Sequence, residues 1–74
     1  MPKTIPDLTA VFALNLAKLR RLKGWSQGEL AVKLDMTPGY ISLLEAGERS
    51  PSISVLASIA AELGTTASKM IEAK

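Results

Sequence analysis

Apolar residues recur along most of the chain at intervals of three and four positions, and this spacing predicts five helices and no strand. The first helix is predicted to begin near Asp7 or Thr9 and to run to Lys23, with Gly24 as its stop. Its inward stripe contains Leu8, Phe12, Leu16 and Leu19, with Val11 and Leu22 at its edges. Leu14 falls on the opposite side of this helix, so we expect it to be exposed.

Two short helices follow, from residues 26 to 34 and from 38 to 45. Ser26 and Glu29 have the spacing of a capping box, and Thr37 before Pro38 provides an N-cap followed by proline in the first helical position. The inward positions of these two helices are Leu30, Ala31, Leu34, Ile41 and Leu44. The turn between them is short, which predicts a sharp crossing of the two helices.

The rest of the chain predicts two further helices and one terminal arm. Gly47 is expected to close the third helix in a left-handed conformation. Ser52 caps a fourth helix that ends at Gly64, and its inward positions are Ile53, Leu56, Ile59, Ala60 and Leu63. Thr66 caps a fifth helix, residues 67–72. Residues 1–7 lack periodicity and are expected to form a flexible arm, whereas residues 8–74 form one domain.

Two helices joined by a tight turn, with a small residue at the crossing, are typical of a helix-turn-helix. The stretch SQGELAVKLDMTPGYISLLEAGERSPS resembles the phage repressor and Cro-type (xenobiotic-response-element type) helix-turn-helix domain, and the resemblance covers residues 12–72. The matching positions are Arg20, Ser26, Gln27, Leu30, Ala31, Thr37, Ile41, Glu45, Gly47, Pro51, Leu63 and Gly64. The resemblance implies an all-α fold, a compact five-helix bundle like that of lambda repressor.

Composition restricts the possible functions. The 74 residues are 47% hydrophobic and 4% aromatic, which favours a small, mainly aliphatic core between helices. The absence of cysteine and histidine removes disulfides, thiol catalysis and the commonest metal ligands. We therefore expect neither an enzyme nor a cofactor, metal site or small-molecule substrate. Without an apolar run of membrane length or a signal peptide, the expectation is a soluble cytoplasmic protein.

Charge is unevenly distributed although the net charge is only +2. From residue 16 to 33 the basic residues are Lys18, Arg20, Arg21, Lys23 and Lys33, against the single acid Glu29. Such an asymmetry can steer a polyanion towards one face, and it is equally compatible with an ordinary solvated helix surface.

The resemblance also implies where double-stranded DNA would bind. Gln27 opens the first helix of the motif and would meet a phosphate, and Arg49 and Ser50 in the loop after the second helix would bind phosphates as well. Bases would be read by the surface formed by Thr37, Pro38, Gly39, Tyr40, Ser42 and Leu43. This helix departs from the family pattern because no Arg, Lys, Asn or Gln lies between Asp35 and Ala46, so bidentate base contacts are missing.

Three further residues have both a structural and a functional interpretation. Arg20 and Glu45 stand where the family has a partly buried ion pair, although Arg20 could instead bind a phosphate. Trp25 precedes the N-cap Ser26 and could pack onto Leu30 as a hydrophobic staple, with base stacking as the alternative.

The resulting hypothesis is a sequence-specific DNA-binding transcriptional regulator that acts as a homodimer on a palindromic operator. The dimer surface would include Val55, Met70 and Ile71, unless these residues only complete the core. The alternative is a protein-interaction module, antitoxin-like or adaptor-like, in which Pro38, Tyr40 and Leu43 contact a protein.

Overall fold

The computed structural model describes residues 7–73, and within this range helices are the only regular secondary structure. The helices are α1 (Leu8–Leu22), α2 (Gln27–Leu34), α3 (Pro38–Glu45), α4 (Ile53–Glu62) and α5 (Ala67–Met70). The all-α, five-helix prediction is confirmed, and α2 and α3 agree with the predicted bounds within one residue. Residues 1–6 of the predicted arm and Lys74 lie outside the described residues.

Each helix is preceded by an N-cap residue whose side chain accepts a hydrogen bond from a free backbone amide of the first turn. Five side chains do this: Asp7, Ser26, Thr37, Ser52 and Thr66. The predicted capping box is complete, because Glu29 N donates to Ser26 Oγ at 3.0 Å and Ser26 N donates to Glu29 Oε1 at 2.7 Å. These bonds satisfy amides that have no partner inside the helix, and so fix where each helix begins.

The core lies where α3 packs against α1 and α2, and extends to α4 and α5. Its largest fully buried side chains are Phe12, Leu16, Leu30, Ile41, Leu44, Ile59 and Met70. Burial of Ala31 allows α2 to approach its neighbours closely. Both inner residues of α3 are therefore fixed in the core, which determines the side of this helix that remains free.

Several apolar positions differ from the sequence expectation. Ile53, predicted to face inward, is 85% exposed, and Leu22, predicted at the edge of the inward stripe, is 73% exposed, because each lies at a helix end that no other element covers. Leu8, also predicted to face inward, is about half exposed. Leu14 is exposed, as predicted. Helical spacing specifies the face of a helix, but burial along that face depends on the reach of the neighbouring elements.

The structure decides between the two roles predicted for Met70, and it shortens the predicted fifth helix. Met70 was expected either at a dimer surface or in the core, and its side chain has no exposed area and completes the core. The fifth helix ends at Met70 and not at residue 72. Asn15 Nδ2 donates to the carbonyl oxygens of Met70 at 2.8 Å and Glu72 at 3.3 Å, so a side chain of α1 binds carbonyls that end the helix.

Candidate nucleic-acid interface

A three-residue turn sets the angle between α2 and α3. Asp35 has a left-handed backbone with φ 57°, a conformation in which Asp is tolerated better than most residues with a side chain. Met36 N donates back to the Ala31 carbonyl at 2.8 Å and closes the end of α2. Thr37 then caps α3 and Pro38 occupies its first position. The turn is thus built from local hydrogen bonds.

The outer surface of α3 is open to solvent along its length. Of the six residues predicted to meet bases, five are exposed: Thr37, Pro38, Gly39, Ser42 and Leu43. The sixth, Tyr40, is half-buried. A methyl group added at Gly39 would meet no atom within 4 Å, so the space beside this residue is open and a ligand could approach its backbone closely. Thr37 Oγ1 accepts from Tyr40 N at 3.1 Å, which leaves the hydroxyl proton of Thr37 free to donate.

Arg20, Glu45 and Gln27 form a network that joins α1, α2 and α3. Arg20 Nε donates to Glu45 Oε2 at 2.6 Å, and Arg20 Nη2 donates to Glu45 Oε1 at 3.0 Å. The same Oε1 accepts from Gln27 Nε2 at 3.0 Å, and Arg20 Nη1 donates to the Trp25 carbonyl at 2.8 Å. The ion pair implied by the family resemblance is therefore present, in the strong bidentate form.

The environment of this network favours the charged form of both partners. Burial raises the pKa of Glu45, but hydrogen bonds from Arg20 and Gln27 and the charge of Arg20 outweigh it, so the pKa lies below its ordinary value. The hydrogen bond to Glu45 raises the pKa of Arg20. Both side chains are mostly shielded from water. Arg20 is thus committed to Glu45, which argues against its use as a free phosphate ligand.

Gln27 has a role that the sequence did not indicate. It was predicted as a phosphate ligand, but its amide nitrogen donates to Glu45 in this structure. This bond fixes the side chain beside the N-terminus of α2, where the first backbone amides of the helix have no intrahelical acceptor. This bond links the first residue of α2 to the last residue of α3.

The loop after α3 presents Arg49 and Ser50, and both are exposed. Gly47 closes α3 with φ 76°, as predicted, and Glu48 N donates to the Leu43 carbonyl at 3.0 Å. The hydroxyl groups of Ser50 and Thr9 are 2.8 Å apart and share a hydrogen bond, which ties the loop to the start of α1. Sequence reasoning missed Thr9, because no local pattern links residues 41 positions apart.

Trp25 is half-buried and packs against the core cluster. Its place in the structure agrees with a packing role, whereas the specific staple onto Leu30 stays a prediction. Within residues 7–73 no three acidic side chains are close enough to hold a metal ion. No helix in the same range is long and apolar enough to cross a membrane.

The fold and the exposed second helix of the motif define a helix-turn-helix domain. A helix-turn-helix family model, HTH_3, matches residues 16–70, most of the chain. The chain therefore belongs to the Cro/C1-type helix-turn-helix family.

Several similar proteins carry the names of transcription regulators. A Neisseria hypothetical transcription factor from Neisseria meningitidis serogroup B is 35% identical over 96% of this chain and 70% of that protein. An HTH-type transcriptional regulator from Sinorhizobium fredii, y4dJ, is 35% identical over 81% of this chain and 78% of its own length. A crystal structure of a hypothetical transcription factor from Neisseria has a TM-score of 0.85, with 97% of this chain and 86% of that chain covered. These similarities support a DNA-binding transcriptional regulator.

Proposed function

We propose that this protein is a cytoplasmic regulator that binds specific double-stranded DNA with α3 in the major groove, as a homodimer on a palindromic operator. One observation carries the proposal: the inner side of α3 is fixed in the core while its outer side is open to solvent. A helix held in this way can enter a groove without rearrangement.

We assign the proposed DNA contacts to α3 itself and to the two surfaces at its ends. The first amides of α2, with the Gln27 side chain beside them, would bind one phosphate, supported by the positive end of the helix dipole. Arg49 and Ser50 would bind phosphates beyond the other end of α3. Between them, Tyr40 and Ser42 offer hydroxyl groups, and Pro38 and Leu43 offer apolar contact with thymine methyl groups.

Replacement of Arg49 by Ala is expected to weaken binding to all duplexes by a similar factor. The slope of log affinity against log salt concentration should flatten by about one unit, because one phosphate contact is lost. Titration of mixed-sequence duplexes at several salt concentrations measures both quantities. Lys18→Ala, which removes the same charge from the outer face of α1, is the matched control. An unchanged affinity and slope in folded Arg49→Ala would show that the loop does not contact DNA.

Replacements on α3 should change sequence preference instead of overall affinity. Ser42→Ala and Leu43→Ala are each expected to alter discrimination between sites by about 1 kcal/mol, the lower end for one base contact. Selection of bound sequences from a random duplex pool, repeated with each variant, identifies the preferred site. The same preferred sequence from all three proteins would place the base contacts elsewhere.

Dimerisation is assigned to the surface near Val55 and Ile71, since Met70 belongs to the core. Val55 and Ile71 are only partly buried, so each retains area for a partner. In sedimentation equilibrium, Ile71→Ser is expected to shift the protein towards monomer about tenfold, the effect of losing one buried aliphatic contact. Ile53→Ser, the same change at an exposed site, serves as the control. An unchanged dimer dissociation constant in folded Ile71→Ser would place the interface elsewhere.

The protein-interaction module remains a second candidate, supported by one feature of α3. Its outer surface carries Pro38, Tyr40 and Leu43 but no Arg, Lys, Asn or Gln. If the folded protein binds no duplex even at low salt, where phosphate contacts are strongest, this function replaces the first one.

A further inference from the structure

A second surface lies outside the proposed DNA interface, between the α1–α2 turn and the outward side of α2. We call it the Trp25 patch, and it consists of Lys23, Trp25, Glu29, Val32 and Lys33. Four of these residues, all except Lys23, line a shallow depression of about 300 Å³. This volume is at the low end for ligand pockets, and it is suited to a side chain from a larger partner.

The patch has an excess of positive charge held against an aromatic ring. Lys33 Nζ lies 4.5 Å and Lys23 Nζ 5.8 Å from the centre of the Trp25 ring, within the range of cation–π attraction. Within the described residues Glu29 forms no salt bridge with either lysine, and its Oε1 accepts from Ser26 N in the capping box. Within the described part of the chain neither lysine forms a salt bridge, so their ammonium groups can still bind acceptors.

The patch also exposes apolar surface that the fold leaves uncovered. Val32 is 80% exposed, a high value for a β-branched residue in the middle of a helix. Leu30 and Ala31, on the opposite side of α2, are fully buried against the rest of the bundle. Val32 therefore lies on the face of α2 that points away from its packing partners.

We propose that the Trp25 patch binds an acidic peptide segment of a partner protein. An aliphatic side chain of the peptide would pack against Trp25 and Val32 in the depression, and flanking carboxylates would pair with Lys23 and Lys33. A symmetric contact with the same patch on a second copy of this chain fits poorly, because like charges would face each other. A DNA backbone fits the lysines, but it has no apolar group for Val32, and the combination favours a peptide.

The test uses a synthetic peptide with a Leu-Leu pair flanked on both sides by Asp and Glu residues. Calorimetric titration gives its Kd, and a saturable change in fluorescence of Trp25, the chain's one tryptophan, locates the binding. Lys33→Glu and Val32→Asp are each expected to raise the Kd at least about tenfold, as loss of a central interface contact does. Lys18→Glu, the same charge change outside the patch, should raise the Kd less than about twofold. The peptide with Ser-Ser in place of Leu-Leu should bind at least about tenfold more weakly.

Four results would overturn the proposal. The acidic peptide could fail to bind saturably. The Ser-Ser peptide could bind as tightly as the Leu-Leu peptide, which would show that the patch binds acidic chains only through its positive charge. Lys18→Glu could weaken binding as much as Lys33→Glu. Finally, Lys33→Glu could weaken duplex binding as Arg49→Ala does while the peptide does not bind, which would make the patch part of the DNA interface. The peptide titration contains no DNA, so its outcome is independent of the proposed regulator function.

Discussion

Replacement of Ile41 by Ala is expected to lower the free energy of unfolding by about 2–5 kcal/mol, the range for emptying a packed core site. Ile41 has no exposed area and lies on the inner side of α3. Leu30, also without exposed area on α2, should give a loss of the same size. A domain of this length has little stability to spare, so either variant could be largely unfolded at room temperature.

Thermal and urea unfolding followed by circular dichroism measure this effect. Val32→Ala is the matched control, because it removes aliphatic carbon from an exposed site of α2 and should change the stability by at most about 0.5 kcal/mol. If Ile41→Ala melts within about one degree of the parent protein, the core does not lie where α3 meets α1 and α2.

Replacement of Glu45 by Ala is expected to cost about 3–5 kcal/mol, the range for removing one partner of a buried ion pair. The variant leaves the Arg20 guanidinium shielded from water with only the Trp25 carbonyl as an acceptor among its present partners. Arg20→Ala should be destabilising for the same reason, because it leaves the Glu45 carboxylate with Gln27 alone. Lys18→Ala and Arg21→Ala remove exposed charges and should cost at most about 0.5 kcal/mol.

The pH dependence of stability provides an independent measurement of the same pair. The pKa of Glu45 is lower in the folded protein than its ordinary value of 4.5, so its contribution is complete above that value. The contribution is lost as the pH falls from that value through the lower pKa of the folded state, because in this range the unfolded carboxyl holds a proton that folding must release. Urea unfolding at a series of pH values should show a flatter acid limb for Glu45→Gln than for the parent protein. Parallel acid limbs would contradict the role of Glu45.

The Arg20–Glu45–Gln27 network also connects stability with the proposed DNA surface. Because Glu45 Oε1 binds both Arg20 and Gln27, a change at Glu45 removes the bond that holds the Gln27 side chain at the N-terminus of α2. The fold is therefore stabilised by the same carboxylate that orients a proposed phosphate ligand. DNA titrations of Glu45 variants must be made on folded protein for this reason.

The sequence alone determined where the helices begin and where turns end them. The Ser26 and Thr37 caps, the capping box with Glu29 and the left-handed Gly47 act between residues at most three positions apart, so a linear pattern contains them. Their geometry depends little on the rest of the fold. The Arg20–Glu45 pair was inferred through the resemblance, because no local rule links two residues 25 positions apart.

Tertiary structure alone decided which apolar side chains are buried in the core and which polar side chains are bound to other helices. Leu22 and Ile53 share the spacing of core residues, yet they remain exposed because no neighbouring element reaches them. Met70 is buried instead because α5 packs against α1 and α4. The bonds from Asn15 to Met70 and from Gln27 to Glu45 join separate elements. Periodicity describes one helix at a time, whereas burial and long-range hydrogen bonds depend on how several helices pack together.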